Sequence, residues 1–223
     1  MTGVAAVLAI TLVALAIRLL MLQRQLRALA GQAVTDPLTG AFNRRQLDVS
    51  LAAAMERCRR TGEPVSLLML DVDRFKEIND AVGHSGGDRV LKGLVPLVAQ
   101  RARKVDALFR VGGEEFALLL AGATFPDAWR IAEQLRARVA AATLIDGRRV
   151  SISVGVSEWS PEDSADAWMH DADAALYHAK RGGRNRVAGT PPHRSPRAAM
   201  GRLDHVRTRR KDFEERRPTG VEV

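Results

Sequence analysis

Three acidic side chains and a set of cationic ones carry the first chemical signal in this chain. Asp71 ends a near-continuous apolar run, Val65-Ser66-Leu67-Leu68-Met69-Leu70, and Glu114 and Glu115 follow Gly112-Gly113. Carboxylates at a strand end and in an adjacent hairpin turn can converge on hard divalent cations, whose preferred ligands are oxygens. Magnesium takes one or two carboxylates and completes its shell with water and substrate phosphates. The glycines are expected to supply positive φ to the turn and to let the backbone approach a ligand closely. Read alone, Gly-Gly-Glu-Glu serves equally as an empty turn. Arg74-Phe75-Lys76 adds backbone N–H groups and an ammonium where an anion could rest. Lys180 and Arg184, four residues apart, form a second cationic fork. Asn79 and Asp88 can read a base edge by paired hydrogen bonds. Each has a plainer role open to it: a turn cap for Asn79, a helix cap for Asp88, a helix-dipole partner for Lys180. Together they describe a site for a nucleoside triphosphate with divalent metal. A P-loop enzyme is excluded, because no Walker A glycine loop is present.

These groups need elements to hold them, and the pattern supplies a mixed α/β domain. Leu47, Leu51, Ala54, Met55 and Cys58 keep helical spacing, as do Val90, Leu91, Leu94, Leu97 and Val98. The run from Val65 reads as a strand buried on both faces. Ala107 to Val111 and Phe116 to Leu120 flank the glycine turn as a hairpin. Phe125 to Ala142 is helical, and Val150 to Val156 alternates as a strand. Ala165, Trp168, Ala172, Ala175, Leu176 and Ala179 form a last amphipathic helix, stopped by Gly182-Gly183. The fold class is therefore α/β (α+β), with helices packed on a mixed, mainly antiparallel sheet.

The flanks read differently. Residues 1–22 hold one charge, Arg18, and Thr2 to Leu22 as a helix would run about 31 Å, enough to cross a bilayer core. Basic residues follow this run and none precedes it, so the positive-inside bias puts the C-terminal side in the cytoplasm. A buried helix or a cleaved signal is the competing reading. Residues 23–34 continue a short signalling helix, in which Leu19, Leu22, Leu26, Leu29 and Ala33 keep heptad steps. An amphipathic stretch on the membrane surface has the same pattern. Residues 188–223 are rich in Arg, Pro and Ser and read as a basic, disordered tail.

The 223 residues carry a net charge of +8, of which the tail holds half, so residues 1–187 lack a nucleic-acid footprint and no nucleic-acid partner is expected. The single Cys58 excludes a disulfide framework and a cysteine zinc site.

Five motifs in order then make the domain recognisable. Asp36-Pro37-Leu38-Thr39-Gly40 with Asn43-Arg44-Arg45, Asp71-Val72-Asp73-Arg74-Phe75-Lys76-Glu77-Ile78-Asn79-Asp80 with Gly83-His84, Gly112-Gly113-Glu114-Glu115-Phe116, Asp173 to Lys180, and Gly183-Arg184-Asn185-Arg186-Val187 resemble the GGDEF family of diguanylate cyclases, in its GGEEF form. The resemblance covers residues 35–187. It implies a fold like nucleotide cyclases and polymerase palms, and the condensation of two GTP into cyclic di-GMP with two pyrophosphates released.

By matching position, the resemblance gives the metal ligands as Asp71, the Val72 carbonyl and Glu114. They would hold two Mg2+ per active site, with Mn2+ able to substitute. Glu115 assists deprotonation or metal binding, which makes Glu115, Glu114 and Asp71 the catalytic set. Asn79 and Asp88 read guanine. Phe75, Lys76, His84, Lys180, Arg184, Gly112 and Gly113 complete the substrate site, with the cations and the amides near Phe75 on the phosphates. Asp88 favours GTP over ATP, since relatives accepting ATP tend to carry serine there. Arg103-Lys104-Val105-Asp106 stands in the register of the family's inhibitory product site, although a further arginine of some members is Gln134 here. The family works as a homodimer, each chain presenting one GTP. The expected protein is a single-pass enzyme of the bacterial inner membrane with its catalytic domain in the cytoplasm. The alternative is a catalytically silent cyclic di-GMP receptor, which usually has a broken signature.

Overall fold

The computed structural model describes residues 15, 17–22, 33–100, 103, 105–145 and 147–191. Phe42–Asn43 (β1) leads into Arg44–Thr61 (α1), which Asn43 caps by accepting from the Gln46 amide at 3.0 Å. Val65–Val72 (β2) follows, then Phe75–Ala99 (α2). Ala107–Arg110 (β3) and Glu115–Ala121 (β4) form the expected hairpin, and Phe125–Ala141 (α3) follows. Ile152–Glu158 (β5), Ala165–Arg181 (α4) and Val187–Thr190 (β6) complete the chain. Thr124 and Ser164 cap α3 and α4, each side chain accepting an amide three residues on, so both helices start where their first orphan N–H finds a partner.

One six-stranded sheet runs in the order β1-β3-β4-β2-β5-β6. β2 pairs antiparallel with both β4 and β5, β3 antiparallel with β4, and the edge pairs β1–β3 and β5–β6 are parallel. The mixed, mainly antiparallel sheet is thus as the pattern predicts. β6 was not legible as a strand, and it carries the fold three residues past the expected end at Val187.

β2 is buried along its whole length because both faces of the sheet are covered. Leu68, Leu70 and Val72 point, with Phe116, Leu118, Val154 and Val156, to a core closed by Leu91 and Leu94 of α2 and Leu135 and Val139 of α3. Leu67 and Met69 point the other way, with Phe109 and Ala117, onto Leu47 and Leu51 of α1 and Trp168 and Leu176 of α4. Side chains alternate along a strand, so Asp71 continues the Leu67–Met69 row toward α4.

α2 is two helices joined at a kink: Gly83 has φ 76° and ψ 166°, a conformation open to glycine and strained for other residues. Asn79 and Asp88 stand on either side of that break. Both lie inside helical stretches, so neither is the cap that their residue types also allowed.

Among the described residues no helix is long and apolar enough to cross a membrane. Of the expected anchor over residues 1–22, only 15 and 17–22 are described; Leu15, Ile17, Leu19, Leu20, Met21 and Leu22 are exposed. Most of residues 23–34, and the tail beyond 191, lie outside the described residues.

Candidate active site

The antiparallel register of β2 with its two neighbours builds the acidic centre. Asp71 stands opposite Glu115 on β4 and opposite Ser153 on β5. The Val72 amide donates to the Glu114 carbonyl at 3.3 Å, which binds the end of β2 to the hairpin turn. From α4, the Lys180 ammonium reaches the Asp71 carboxylate at 2.7 Å. Asp71 is only 5% exposed. Burial pushes its carboxyl up to about 6; Lys180 opposes the shift, and the charges of Glu114 and Glu115 add to it. Asp173, on α4, is also raised, by burial and then by the nearby Glu115 charge. Mutual repulsion among carboxylates that end adjacent strands is relieved by a cation, and Lys180 supplies one positive charge.

Among the described residues no three His, Cys, Asp or Glu side chains form a ready cation cage. A hard divalent ion here would therefore draw on one or two carboxylates, the Val72 carbonyl and oxygens of the substrate, the donor set that suits magnesium. The residues fit such an ion.

The hairpin glycines do not act as expected. Neither Gly112 nor Gly113 is among the residues with positive φ. What Gly112 provides is room: a Cβ there would lie 2.7 Å from the Glu115 carboxylate. The turn is held by Arg110, which sequence reading missed. Its guanidinium donates to the Gly112 carbonyl at 3.2 Å and to the Gly113 carbonyl at 2.7 Å, and pairs with Asp36 at 3.0 Å. Asp36 also accepts from the Thr39 amide and hydroxyl. Burial alone would raise the Asp36 carboxyl, but Thr39 and Arg110 together hold it below the usual carboxylate value. The first motif thus steadies the third across 74 residues, a link that no local pattern could show.

Asp73 is a second missed residue. Its carboxylate accepts from the Ser151 and Ser153 hydroxyls at 2.6 Å each and from the Asn185 amide at 2.9 Å. It ties the end of β2 to the strand entering β5 and to the loop that carries Arg184.

Before the kink in α2, Asn79 Oδ1 is buried and, among the described residues, has no hydrogen-bond partner. Gly87 makes space for it, since a Cβ at that position would stand 2.0 Å from Asn79 Oδ1 and 3.0 Å from the Phe75 ring. Gly87 was not singled out from sequence, because only the folded kink brings it against Asn79. A buried acceptor left without a donor costs roughly 1–3 kcal/mol, so the arrangement favours a ligand that brings an N–H. Asp88 is half-buried nearby in sequence, and His84 is exposed beside the kink. Phe75 opens α2, whose preceding residue, Arg74, is left-handed and offers no side-chain cap, so the first-turn amides remain open to an anion. Lys76 is exposed there. Lys180 is engaged with Asp71, while Arg184 lines a cleft with Arg74 and Asn185.

The structure therefore gathers Asp71, Glu114, Glu115 and Lys180. It does not gather Arg103 and Asp106 with them. These lie before β3, at the end remote from the glycine turn, where Asp106 accepts from the Arg103 amide at 2.6 Å and closes a tight turn. Gln134 lies on α3, half-buried.

Comparison with known proteins agrees with this geometry. Residues 33–186 match the family described as "Diguanylate cyclase, GGDEF domain". The response regulator PleD of Caulobacter vibrioides is 42% identical over 163 residues, covering 70% of this chain and 36% of PleD. Diguanylate cyclase DgcM of Escherichia coli is 41% identical over 152 residues, covering 68% of this chain and 37% of DgcM. This chain thus spans little more than a third of the length of either relative. Among solved structures, the GGDEF domain of DgcB from Caulobacter crescentus in complex with c-di-GMP superposes with a TM-score of 0.67 at 35% identity, over 71% of this chain and 96% of that one. The diguanylate cyclase SiaD of Pseudomonas aeruginosa, in complex with its activator SiaC, gives 0.68 at 38% identity, over 81% of this chain and 71% of that one. With the acidic strand end, the glycine hairpin and the kinked helix in their places, the chain belongs to the GGDEF family of diguanylate cyclase domains.

Proposed function

We propose that this chain is a diguanylate cyclase that joins two GTP into cyclic di-GMP and releases two pyrophosphates. The observation that carries the reading is the pairing of the Asp71–Glu115 strand register with the orphaned Asn79 Oδ1. One end places carboxylates for a metal-bound phosphate, and the other an unpaired acceptor for a purine N–H. Asn79 and Asp88 orient guanine. The open amides at the start of α2, with Lys76, Lys180 and Arg184, hold the phosphates. Asp71, Glu114 and the Val72 carbonyl would hold the two divalent ions, Mg2+ or Mn2+, whose chemistry would be to neutralise the charge that develops on phosphate oxygens. Glu115 stands beside this point to accept the proton of the 3′-hydroxyl that attacks the partner GTP's α-phosphate. Lys180 exchanges Asp71 for phosphate as substrate arrives.

Each chain offers one such site, so bond formation requires two copies face to face. The apolar N-terminus supports a membrane anchor with the domain on the cytoplasmic side, which raises the copies' effective concentration. A fusion reporter at Val223 reads this topology, and an extracytoplasmic signal overturns it. Arg103 and Asp106 are assigned to product inhibition. The principal test is mass spectrometry of the products made by the full chain in detergent from GTP and Mg2+, after bound nucleotide is stripped. Cyclic di-GMP supports the reading; binding of cyclic di-GMP without turnover overturns it in favour of a receptor.

A further inference from the structure

A cleft of about 500 Å³ opens between the first turn of α2, the chain entering β5 and the loop after α4. Its lining includes four arginines, Arg74, Arg148, Arg149 and Arg184, against two carboxylates, Asp73 and Glu77. Both carboxylates are already engaged. Asp73 accepts three hydrogen bonds from Ser151, Ser153 and Asn185, and Glu77 lies 3.6 Å from Arg74. Arg148, Arg149 and Arg184 have no ion pair among the described residues, and the described lining of the cleft carries more guanidinium than carboxylate charge.

The backbone of Arg148 and Arg149 is anchored on both sides. They form an exposed dipeptide between two buried anchors, Ile145 at 5% and Val150 at 1% exposure. A bridge from Ile145 to Arg148 closes the turn, with Gly147 at φ 71°. Behind them the Asp73 amide donates to the Ser151 carbonyl at 2.9 Å. Through Ser151, Ser153 and Asn185 the Asp73 carboxylate ties the segment that leads from Arg149 into β5 to the loop carrying Arg184. Planar guanidinium groups bind phosphate and carboxylate oxygens as bidentate forks, and Arg184, assigned to the GTP phosphates, shares this cleft, which makes phosphate the anion to expect.

We propose that Arg148 and Arg149 are an outer phosphate clamp, binding the terminal phosphates of GTP and the pyrophosphate that leaves. This rests on the cyclase reading of the adjoining site and extends it: Arg184 belongs to both, and the cleft continues the phosphate site away from Asp71. The clamp positions the triphosphate so that the α-phosphate faces the partner's hydroxyl, and it holds the leaving group after cleavage.

Calorimetric titration of the full chain with inorganic pyrophosphate and Mg2+ tests this directly. Replacing both residues, Arg148→Ala with Arg149→Ala, should weaken pyrophosphate binding about tenfold, since each exposed charge pair contributes a modest amount. The GTP KM should rise by a similar factor, with the loss falling on KM rather than kcat. The Arg148→Lys, Arg149→Lys double variant should recover part of the affinity. Equal pyrophosphate affinity in the wild type and the alanine variant overturns the clamp. A wild type that makes no cyclic di-GMP overturns the cyclase reading instead, and the pyrophosphate titration then still decides the cleft by itself.

Discussion

At the scale of the residue, the site turns on two carboxylates whose protons are governed in opposite directions. Asp71 is pushed up to about 6 by burial, against the pull of Lys180. A metal ion needs the deprotonated form, so Mg2+ affinity measured by calorimetry should level off above about pH 6 and fall about tenfold per unit below it. Asp71→Asn should abolish both the pH dependence and turnover; a variant with normal rate would remove Asp71 from the metal site. Asp36 is held low by Thr39 and Arg110 once burial is overcome. A depressed carboxyl contributes stability above its unfolded pKa and loses it as pH falls through the folded one. Arg110→Met should therefore lower Tm at pH 7, by about 2 kcal/mol of stability for a half-buried pair. The gap from wild type should narrow as pH falls below about 4, where the unfolded chain's carboxyl takes up its proton, and close only once pH passes the depressed folded value. An equal gap at both pH values would mean that packing of the arginine stem, not its charge, secures the hairpin.

At the scale of the element, two glycines permit close approaches that no other residue would. Gly155 on β5 lies beneath α4: a Cβ there would sit 2.1 Å from the Ala172 carbonyl and 2.3 Å from the Leu176 amide. Backbone cannot yield as a side chain can, so Gly155→Ala should cost about 3 kcal/mol. Thermal unfolding should then begin roughly 6–12 °C lower. Since α4 carries Lys180, activity should fall with stability. Gly87 is a different case, because the atom in its way is the far end of the Asn79 side chain. Gly87→Ala should leave Tm within a few degrees while displacing Asn79. The GTP KM should rise about tenfold, the loss of one base hydrogen bond. A lowered Tm with unchanged KM would make Gly87 a packing residue only.

At the scale of the whole molecule, the acidic centre and the Arg103–Asp106 turn lie toward opposite ends of β3, so a product bound at the proposed inhibitory site would leave the substrate site open. Arg103→Ala should raise the cyclic di-GMP concentration needed for half-inhibition at least tenfold and leave the initial rate alone, as read by progress curves; an unchanged inhibition curve would sink that site. With Gln134 on α3 where some relatives are expected to carry an arginine, fewer charged contacts would reach a product at the proposed site, and inhibition in the wild type should be correspondingly weak.

Much of this was determined by sequence because it is local. The apolar run from Val65, the helical spacing of Leu47 to Cys58 and that of Ala165 to Ala179 follow from periods within a few residues, and the motifs around Asp71 and Glu114 pointed to carboxylates that the sheet register brings together. What the tertiary structure decided lies across long separations. The Asp36–Arg110 clamp, the triple acceptor at Asp73 and the seat of Asn79 on Gly87 arise only when strands pair and the helix kinks. The hairpin glycines show the same division. Their place in the turn was legible, but neither takes positive φ, and Gly112 instead leaves room for Glu115, because the packing of that carboxylate is a property of the folded corner. β6, four residues long and ordinary in composition, became a strand only because β5 offered it an open edge.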